Sequence, residues 1–307
     1  MKELKDMTFG FVGLGLMGGS IAKGIKDKVF KANYSLGKNG FENDSNGKIY
    51  AMDKNINSLN QALEDKIIDK AFTPDQTNEM LNSCDFVFIC LYPKATLNFL
   101  IEHKDSFKPG SVVTDISGVK TLIAENIFAG EKSIIRSDVD FILGHPMAGN
   151  EKEGYSGSNQ CIFEGRNYIL MPQSTNKSET ISLMKELVTK LGIKRIIETD
   201  YITHDHKIAF TSQLCHVIAS ALVDSAEDNK ITAFGGGSYE DLTRIALINA
   251  PLWTELFLSN KKELLSMITT FESSLSNIKK AIENEDQDGL QKILTCVRTK
   301  RAEMQKI

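Results

Sequence analysis

The chain has 307 residues, 41% of them hydrophobic and 25% charged, with a net charge of −4. That balance belongs to a globular protein large enough for two ordinary cores. It lacks the polybasic footprint of a nucleic-acid or anionic-membrane binder, and it has no apolar run of about eighteen residues that would suggest a transmembrane helix.

The opening "MKELKDMTFG" shows no signal-peptide core and runs straight into a strand, expected over Met7 to Val12. A helix through "MGGSIAKGIKDK" follows. The next stretch, residues 31–47 at its centre, is polar, rich in Asn and Gly and long for its place, and reads as a surface insertion. Strands are expected at "GKIYAMD", "DFVFICL", "GSVVTDI" and "DFILGH", with helices at "INSLNQALED" and "KATLNFLIEH" between them. "KSETISLMKELVTKLGIKRIIE" adds one more helix and strand. Strand–helix alternation of this kind predicts an α/β fold, a Rossmann-type doubly wound parallel sheet.

Near Asp200 the pattern changes, and apolar residues recur at three and four. "HDHKIAFTSQLCHVIASALVDSAED", one long helical run from Asp241 to Asp286, and "GLQKILTCVRTKRAEMQKI" all read as helix, interrupted by "FGGGS" at Phe234–Ser238. The expected division is a dinucleotide-binding domain over 1–199 and an all-α domain for substrate binding and dimerisation over 200–307. Long amphipathic helices in such a position commonly pair across a dimer, so a homodimer is expected. Cys84, Cys90, Cys161, Cys215 and Cys296 are scattered and form no C-x-x-C pair, as expected of reduced thiols in a cytoplasmic protein.

"GLGLMG" (Gly13, Leu14, Gly15, Leu16, Met17, Gly18) matches G-x-G-x-x-G between a strand and a helix. Gly13 permits the tight turn, Gly15 lets the backbone approach a pyrophosphate, and Gly18 allows close helix–strand packing. Asp53 ends the second strand, where a carboxylate accepts from ribose hydroxyls and repels a 2′-phosphate, favouring NAD. Lys54 beside it keeps NADP open.

His145 lies in "GHPMAGNEKEGYSG" at the C-terminal end of a strand, the edge of an open α/β sheet where ligands bind. An imidazole titrating near pH 6.5 suits proton acceptance near neutrality, and the surrounding glycines let a substrate come close. "TDISGVK" leaves another strand end and offers Ser117 as a further catalytic candidate. His216 sits on an otherwise apolar helix face. Arg244 follows the glycine turn, with Asp241 and Trp253 nearby, and is the best clamp for a substrate carboxylate through its bidentate fork. His204 and His206 form H-x-H, but two residues apart on a helix do not share a face, so no metal site is expected. No G-x-S-x-G motif supports covalent catalysis.

Taken in order, "GFVGLGLMGGSIA", "TDISGVK", "GHPMAGNEKEGYSG", "HDHKIAFTSQLCHVIASAL" and "FGGGSYEDLTRIALINAPLW" resemble the prephenate dehydrogenase family over most of the chain. The first block is shared by many dehydrogenases; the histidine block and T-R-I-A…P-x-W are far more specific. The resemblance implies NAD-dependent oxidative decarboxylation of prephenate to 4-hydroxyphenylpyruvate in tyrosine biosynthesis. It assigns proton acceptance to His145 and carboxylate binding to Arg244, and it puts His216 in the substrate pocket and Glu151 at its mouth. The sequence departs from the family at three points. Many relatives read G-S-V-K where this chain has Ser117-Gly118-Val119-Lys120. Gln213 and Cys215 replace two positions of S-H-L-P-H, and Glu240 stands where a basic residue is frequent. Arogenate as substrate, a 3-hydroxyacid dehydrogenase and a non-catalytic NAD-binding sensor are the competing readings.

Overall fold

A computed structural model of the chain describes residues 2–31, 34–37, 40–43, 45–128 and 133–304. In chain order the first part runs β1 (Thr8–Val12), α1 (Leu16–Ile25), β2 (Tyr34–Gly37), β3 (Gly40–Asn43), β4 (Lys48–Met52), α2 (Ile56–Glu64), β5 (Lys70–Phe72), α3 (Thr77–Ser83), β6 (Phe86–Ile89), α4 (Pro93–His103), β7 (Val112–Asp115), α5 (Thr121–Ile127), β8 (Asp140–Pro146), β9 (Asn167–Met171), α6 (Ser178–Lys190) and β10 (Arg195–Glu198).

The strands are apolar on both faces because both faces are covered. In β1, Phe9 and Phe11 point to one side and Val12 to the other; in β6, Phe86 and Phe88 oppose Val87 and Ile89, the period of two that a pleat dictates. Phe11 stacks on Phe88 at 5.4 Å. On the phenylalanine face they meet Ile21 and Ile25 of α1 and Leu183, Met184 and Leu187 of α6. On the other face Met80, Leu81, Phe99, Leu100 and Ile123 of α3, α4 and α5 close the core. Each face thus carries its own layer of helices, as a doubly wound fold requires.

The eight strands run in the order β10-β9-β8-β7-β6-β1-β4-β5. All neighbours are parallel except β8 and β9, which pair antiparallel with His145 opposite Ile169. The chain reverses its direction across the sheet between β1 and β6. The C-terminal ends of β1, β6, β7 and β8 therefore share one edge, and the switch point lies on it.

Three features go beyond the sequence reading. β5 and β9 are strands it did not contain. Inside the polar insertion β2 and β3 pair as an antiparallel hairpin; the rest of residues 31–47 lies partly outside the described residues.

The second part is helical: α7 (Tyr201–Ile208), α8 (Leu214–Asp224), α9 (Gly237–Thr243), α10 (Ala250–Ser259), α11 (Lys261–Glu283) and α12 (Gln287–Met304). A π-helical turn, Ala209–Gln213, joins α7 to α8. The single helix expected from Asp241 to Asp286 is a correction: it is broken twice. Asn249 accepts from the Leu252 amide and Pro251 sits in the first turn, so a new helix starts there. Asn260 leaves helical geometry at φ −116°, and its amide group donates to the Asp205 carbonyl and to Gln213 Oε1 at 2.9 and 2.8 Å. Among the described residues no helix is long and apolar enough to cross a membrane.

Candidate active site

The glycine turn after β1 is shaped by its neighbours. Gly13 adopts φ +90°, and a Cβ there would stand 2.8 Å from the Cys90 carbonyl oxygen. At Gly18 a Cβ would collide with the Gly13 carbonyl, whereas at Gly15 nothing lies within 4 Å. The turn is therefore packed against the sheet at both ends and open in the middle. Leu16 and Met17 start α1, with their side chains half-buried. Asp53, half-buried at the end of β4, accepts from the Leu14 amide at 2.6 Å and from the Asn55 amide at 2.7 Å. An open glycine, a helix N-terminus and a carboxylate at the next strand end fit a dinucleotide.

His145 lies further along the same edge, near the end of β8. Its ring is hemmed in by protein yet keeps some accessible surface. Its Nδ1 is 2.9 Å from Nε2 of His204, and Nδ1 of His204 is 2.7 Å from Oδ1 of Asp205. Asp205 in turn accepts from the amides of Lys120, at 2.9 and 3.1 Å, and of Thr121, at 2.8 Å. These are donors at the start of α5 that a helix leaves without internal partners. The Lys120 ammonium is fully buried; it donates to Asp115 Oδ2 at 2.6 Å and to the Gly144 carbonyl at 2.5 Å, tying the ends of β7 and β8 together. Gly144 must lack a side chain, because a Cβ would run into the Tyr168 hydroxyl from β9.

The electrostatics follow from this burial. Desolvation, then the electrostatic influence of His204 and Lys120, holds His145 well below the usual histidine value, so the ring is neutral at neutral pH. Burial also lowers Lys120, against the pull of Asp115 and Asp205. Burial works to raise the Asp205 carboxyl, but the hydrogen bonds from His204 and Thr121 hold it below the ordinary carboxylate range.

Ser117 is 4% exposed. Its amide donates to Asp115 Oδ2 at 3.0 Å and its hydroxyl lies 3.4 Å from that of Thr96. The next residue fronts the imidazole instead: a Cβ on Gly118 would lie 3.9 Å from His145 Nε2 and 3.3 Å from Leu256 of α10.

The helical region carries the residues expected at the mouth. Arg244, 62% exposed at its side chain, pairs through Nη1 with Glu151 Oε1. His216 stacks on Trp253 at 3.6 Å and donates from Nδ1 to the Ser212 carbonyl at 3.0 Å. Burial, aided by the charge of Arg244 and opposed by the Ser212 bond, lowers its pKa. Asn249 donates to Glu153 at 2.6 Å, so the loop after His145 meets the helical region at a second point. The same loop rests on α1, where the Asn159 amide donates to Ser20 at 2.9 Å and Tyr155 packs over Gly19. Gln213, 1% exposed, spends its amide on the Leu256 carbonyl and on Asn260.

His204, Asp205 and Lys120 carry no functional role in the sequence reading. The nearest signal was the Asp200 N-cap, which fixes the register of α7 and turns His204 and Asp205 inward while His206 faces Glu263 outside.

Two family models match the chain: prephenate dehydrogenase, nucleotide-binding domain, over residues 36–197, and prephenate dehydrogenase, dimerization domain, over residues 201–296. The first alone spans more than half of it. The chain belongs to the prephenate dehydrogenase family. It is thus an oxidoreductase with the nucleotide-binding and dimerization domains of that family. The prephenate dehydrogenase of Lactococcus lactis subsp. cremoris is 30% identical over 289 residues, covering 91% of this chain and 72% of that protein. The cyclohexadienyl dehydrogenase of Zymomonas mobilis is 26% identical over 286 residues, covering 91% and 89%. Prephenate dehydrogenase from Aquifex aeolicus, crystallised with hydroxyphenyl propionate and NAD+, superposes with a TM-score of 0.81 at 29% identity, covering 97% of this chain and 98% of that one.

Proposed function

We propose that this prephenate dehydrogenase family member oxidises and decarboxylates prephenate to 4-hydroxyphenylpyruvate in tyrosine biosynthesis, with NAD as acceptor. In this reading it is a cytoplasmic homodimer, with residues 1–199 holding the dinucleotide and 200–307 supplying substrate contacts and the dimer surface. The observation that carries the reading is a neutral imidazole, His145, on the glycine-turn edge of the sheet, followed in the chain by a loop whose Glu151 pairs with the Arg244 guanidinium of the helical region.

Gly13, Gly15, Gly18 and the first turn of α1, through Leu16 and Met17, would hold the pyrophosphate, and Asp53 would take the adenosine ribose. NAD bound there supplies the hydride acceptor. Arg244 exchanges Glu151 for a substrate carboxylate, to which its planar fork is matched. His216, held flat against Trp253, lines the pocket wall. His145 accepts a hydrogen bond from the ring hydroxyl and takes its proton as the carbonyl forms. The new carbonyl, conjugated to the quaternary carbon, draws the electron pair of the bond to the departing carboxylate. Carbon dioxide leaves and the ring becomes aromatic. The protein's share is to position, to balance charge and to remove one proton. Ser117 would act through its backbone and the Thr96 contact, at the strand end beside the base.

Similarity to a cyclohexadienyl dehydrogenase supports a second reading, arogenate, which carries an amine where prephenate has its keto group. Nucleotide reduction measured with prephenate and with arogenate, each with NAD and NADP, tests both; prephenate with NAD is expected to be fastest. His145→Asn should lower turnover about 10²- to 10⁴-fold with nucleotide affinity retained. Unchanged turnover would refute the base. For the dimer, the exposed apolar residues Phe234, Leu242, Leu247, Leu258 and Leu265 offer support.

A further inference from the structure

We propose that His204 is a positioning residue for the base: backed by Asp205, it fixes His145 in the Nδ1–H tautomer and leaves the Nε2 lone pair facing the cleft. The inference deepens the reading above and rests on His145 accepting the substrate proton.

Counting protons along the chain of contacts gives the argument. An ionised carboxylate only accepts. Asp205 Oδ1 lies 2.7 Å from His204 Nδ1, so that nitrogen carries the hydrogen and donates. A neutral imidazole has one donor and one acceptor, which leaves His204 Nε2 with a lone pair. His145 Nδ1, 2.9 Å away, therefore donates to it. The remaining nitrogen of His145, Nε2, is then bare, and it faces Gly118, where a Cβ would lie 3.9 Å from it. The opposite direction would press two acceptors together at 2.7 Å in a site where His204 and Asp205 are each 1% exposed, at the cost of a buried unsatisfied group. A carboxylate behind an imidazole is a known way to hold a base in one tautomer; here the command passes through a second ring.

The anchor of the relay is itself held from the sheet side. Asp205 belongs to α7, yet its oxygens receive the amides of Lys120 and Thr121 at the start of α5. Docking of the helical region onto α5 and orientation of the base are thus one event. When His145 takes the hydroxyl proton at Nε2, its Nδ1–H still points at a lone pair with an anion one ring further on. This arrangement favours the imidazolium. The proton leaves later to water.

The test compares His204→Leu, which keeps apolar volume but offers no acceptor, with His204→Gln, whose side-chain carbonyl can accept from His145 Nδ1. We expect kcat to fall about 10- to 100-fold in His204→Leu, with KM for prephenate and nucleotide affinity within about twofold, and to recover most of its value in His204→Gln. A packing role would follow volume instead and show no such rescue. Nitrogen-15 spectra of histidine-labelled wild-type protein, assigned by loss of the His145 signal in His145→Asn, should show the proton on Nδ1. A kcat within twofold of wild type in His204→Leu, or a wild-type spectrum with the proton on Nε2, overturns the relay. If neither variant folds, the wild-type spectrum decides alone. Normal turnover in His145→Asn would instead remove the base itself, an outcome separable from failure of the relay.

Discussion

The sheet edge and the expected helical mouth stand under opposite physical conditions. At the edge, His145, His204, Asp205, Lys120 and Asp115 form a continuous hydrogen-bonded cluster in which His204, Asp205, Lys120 and Asp115 are almost wholly buried. At the mouth, Arg244 and Glu151 meet in solvent at 62% and 33% exposure. The first arrangement fixes geometry and protonation, because a half-satisfied buried polar network is costly. The second can exchange partners at little cost, because an exposed ion pair is screened and weak. On the proposed function, a site that moves one proton and must also admit and release a charged ring needs both, and here they reside on different elements.

The largest break in that comparison comes from Lys120. Replacing it by Met leaves Asp115 buried without its cation, so unfolding free energy should drop by about 3–5 kcal/mol in denaturant titration. Arg244→Gln should leave stability within about 1 kcal/mol, as expected for an exposed pair. Its effect belongs to binding: KM for prephenate should rise about 10- to 100-fold, the worth of charge-assisted hydrogen bonds of about 1.5–3 kcal/mol, with kcat little changed. Equal stability losses in the two variants, or a normal KM in Arg244→Gln, would erase the distinction between edge and mouth.

The distinction also has a pH signature. His145 titrates well below its unfolded value of about 6.5 because of burial first and the electrostatic influence of its neighbours His204 and Lys120 next. Below about pH 6.5 the unfolded chain therefore binds a proton that the native chain refuses, and stability falls as pH falls. His216, lowered chiefly by burial, adds the same sign. Asp205, also depressed, adds its loss only as pH falls below the ordinary carboxylate value of about 3.9. Removing the imidazole should flatten the curve, so the stability of His145→Asn should depend less on pH than wild type between about 6.5 and 5. Activity should follow the same group, with the acid limb of kcat lying below pH 6.5. A limb at or above that value would mean that the ring is not dry.

What could be read from the sequence follows the range of the interactions. The glycine turn was legible because its chemistry is local: a positive φ at Gly13 and close packing at Gly18 need glycine whatever surrounds them. His145 at a strand end was legible for the same reason. β9 was not, since it returns antiparallel to β8 without an intervening α-helix and breaks the alternation that marked the other strands. The break at Asn249 carried a signal, a capping side chain followed by Pro251, that the apolar periodicity around it hid. His204 and Asp205 were invisible as a pair because their partners stand 59 and 85 residues away, and only packing of α7 onto α5 reveals them. Arg244 was legible as a carboxylate clamp after the glycine turn and Glu151 through the family resemblance, but their mutual pairing was not.

That pairing yields the smallest and most discriminating test. If Glu151 occupies the guanidinium that a substrate carboxylate must take, Glu151→Gln removes a competitor, and KM for prephenate should fall. An exposed pair is worth at most about 1 kcal/mol, so the fall cannot exceed roughly fivefold. It should be clearest at low ionic strength and fade as salt screens the wild-type pair. If Glu151 instead holds Arg244 ready for the substrate, the same substitution raises KM, because the free guanidinium must be ordered at the moment of binding. The sign of the change, measured at two salt concentrations, decides whether the mouth is obstructed or primed by its own ion pair; the buried edge should register neither, with kcat unchanged in both.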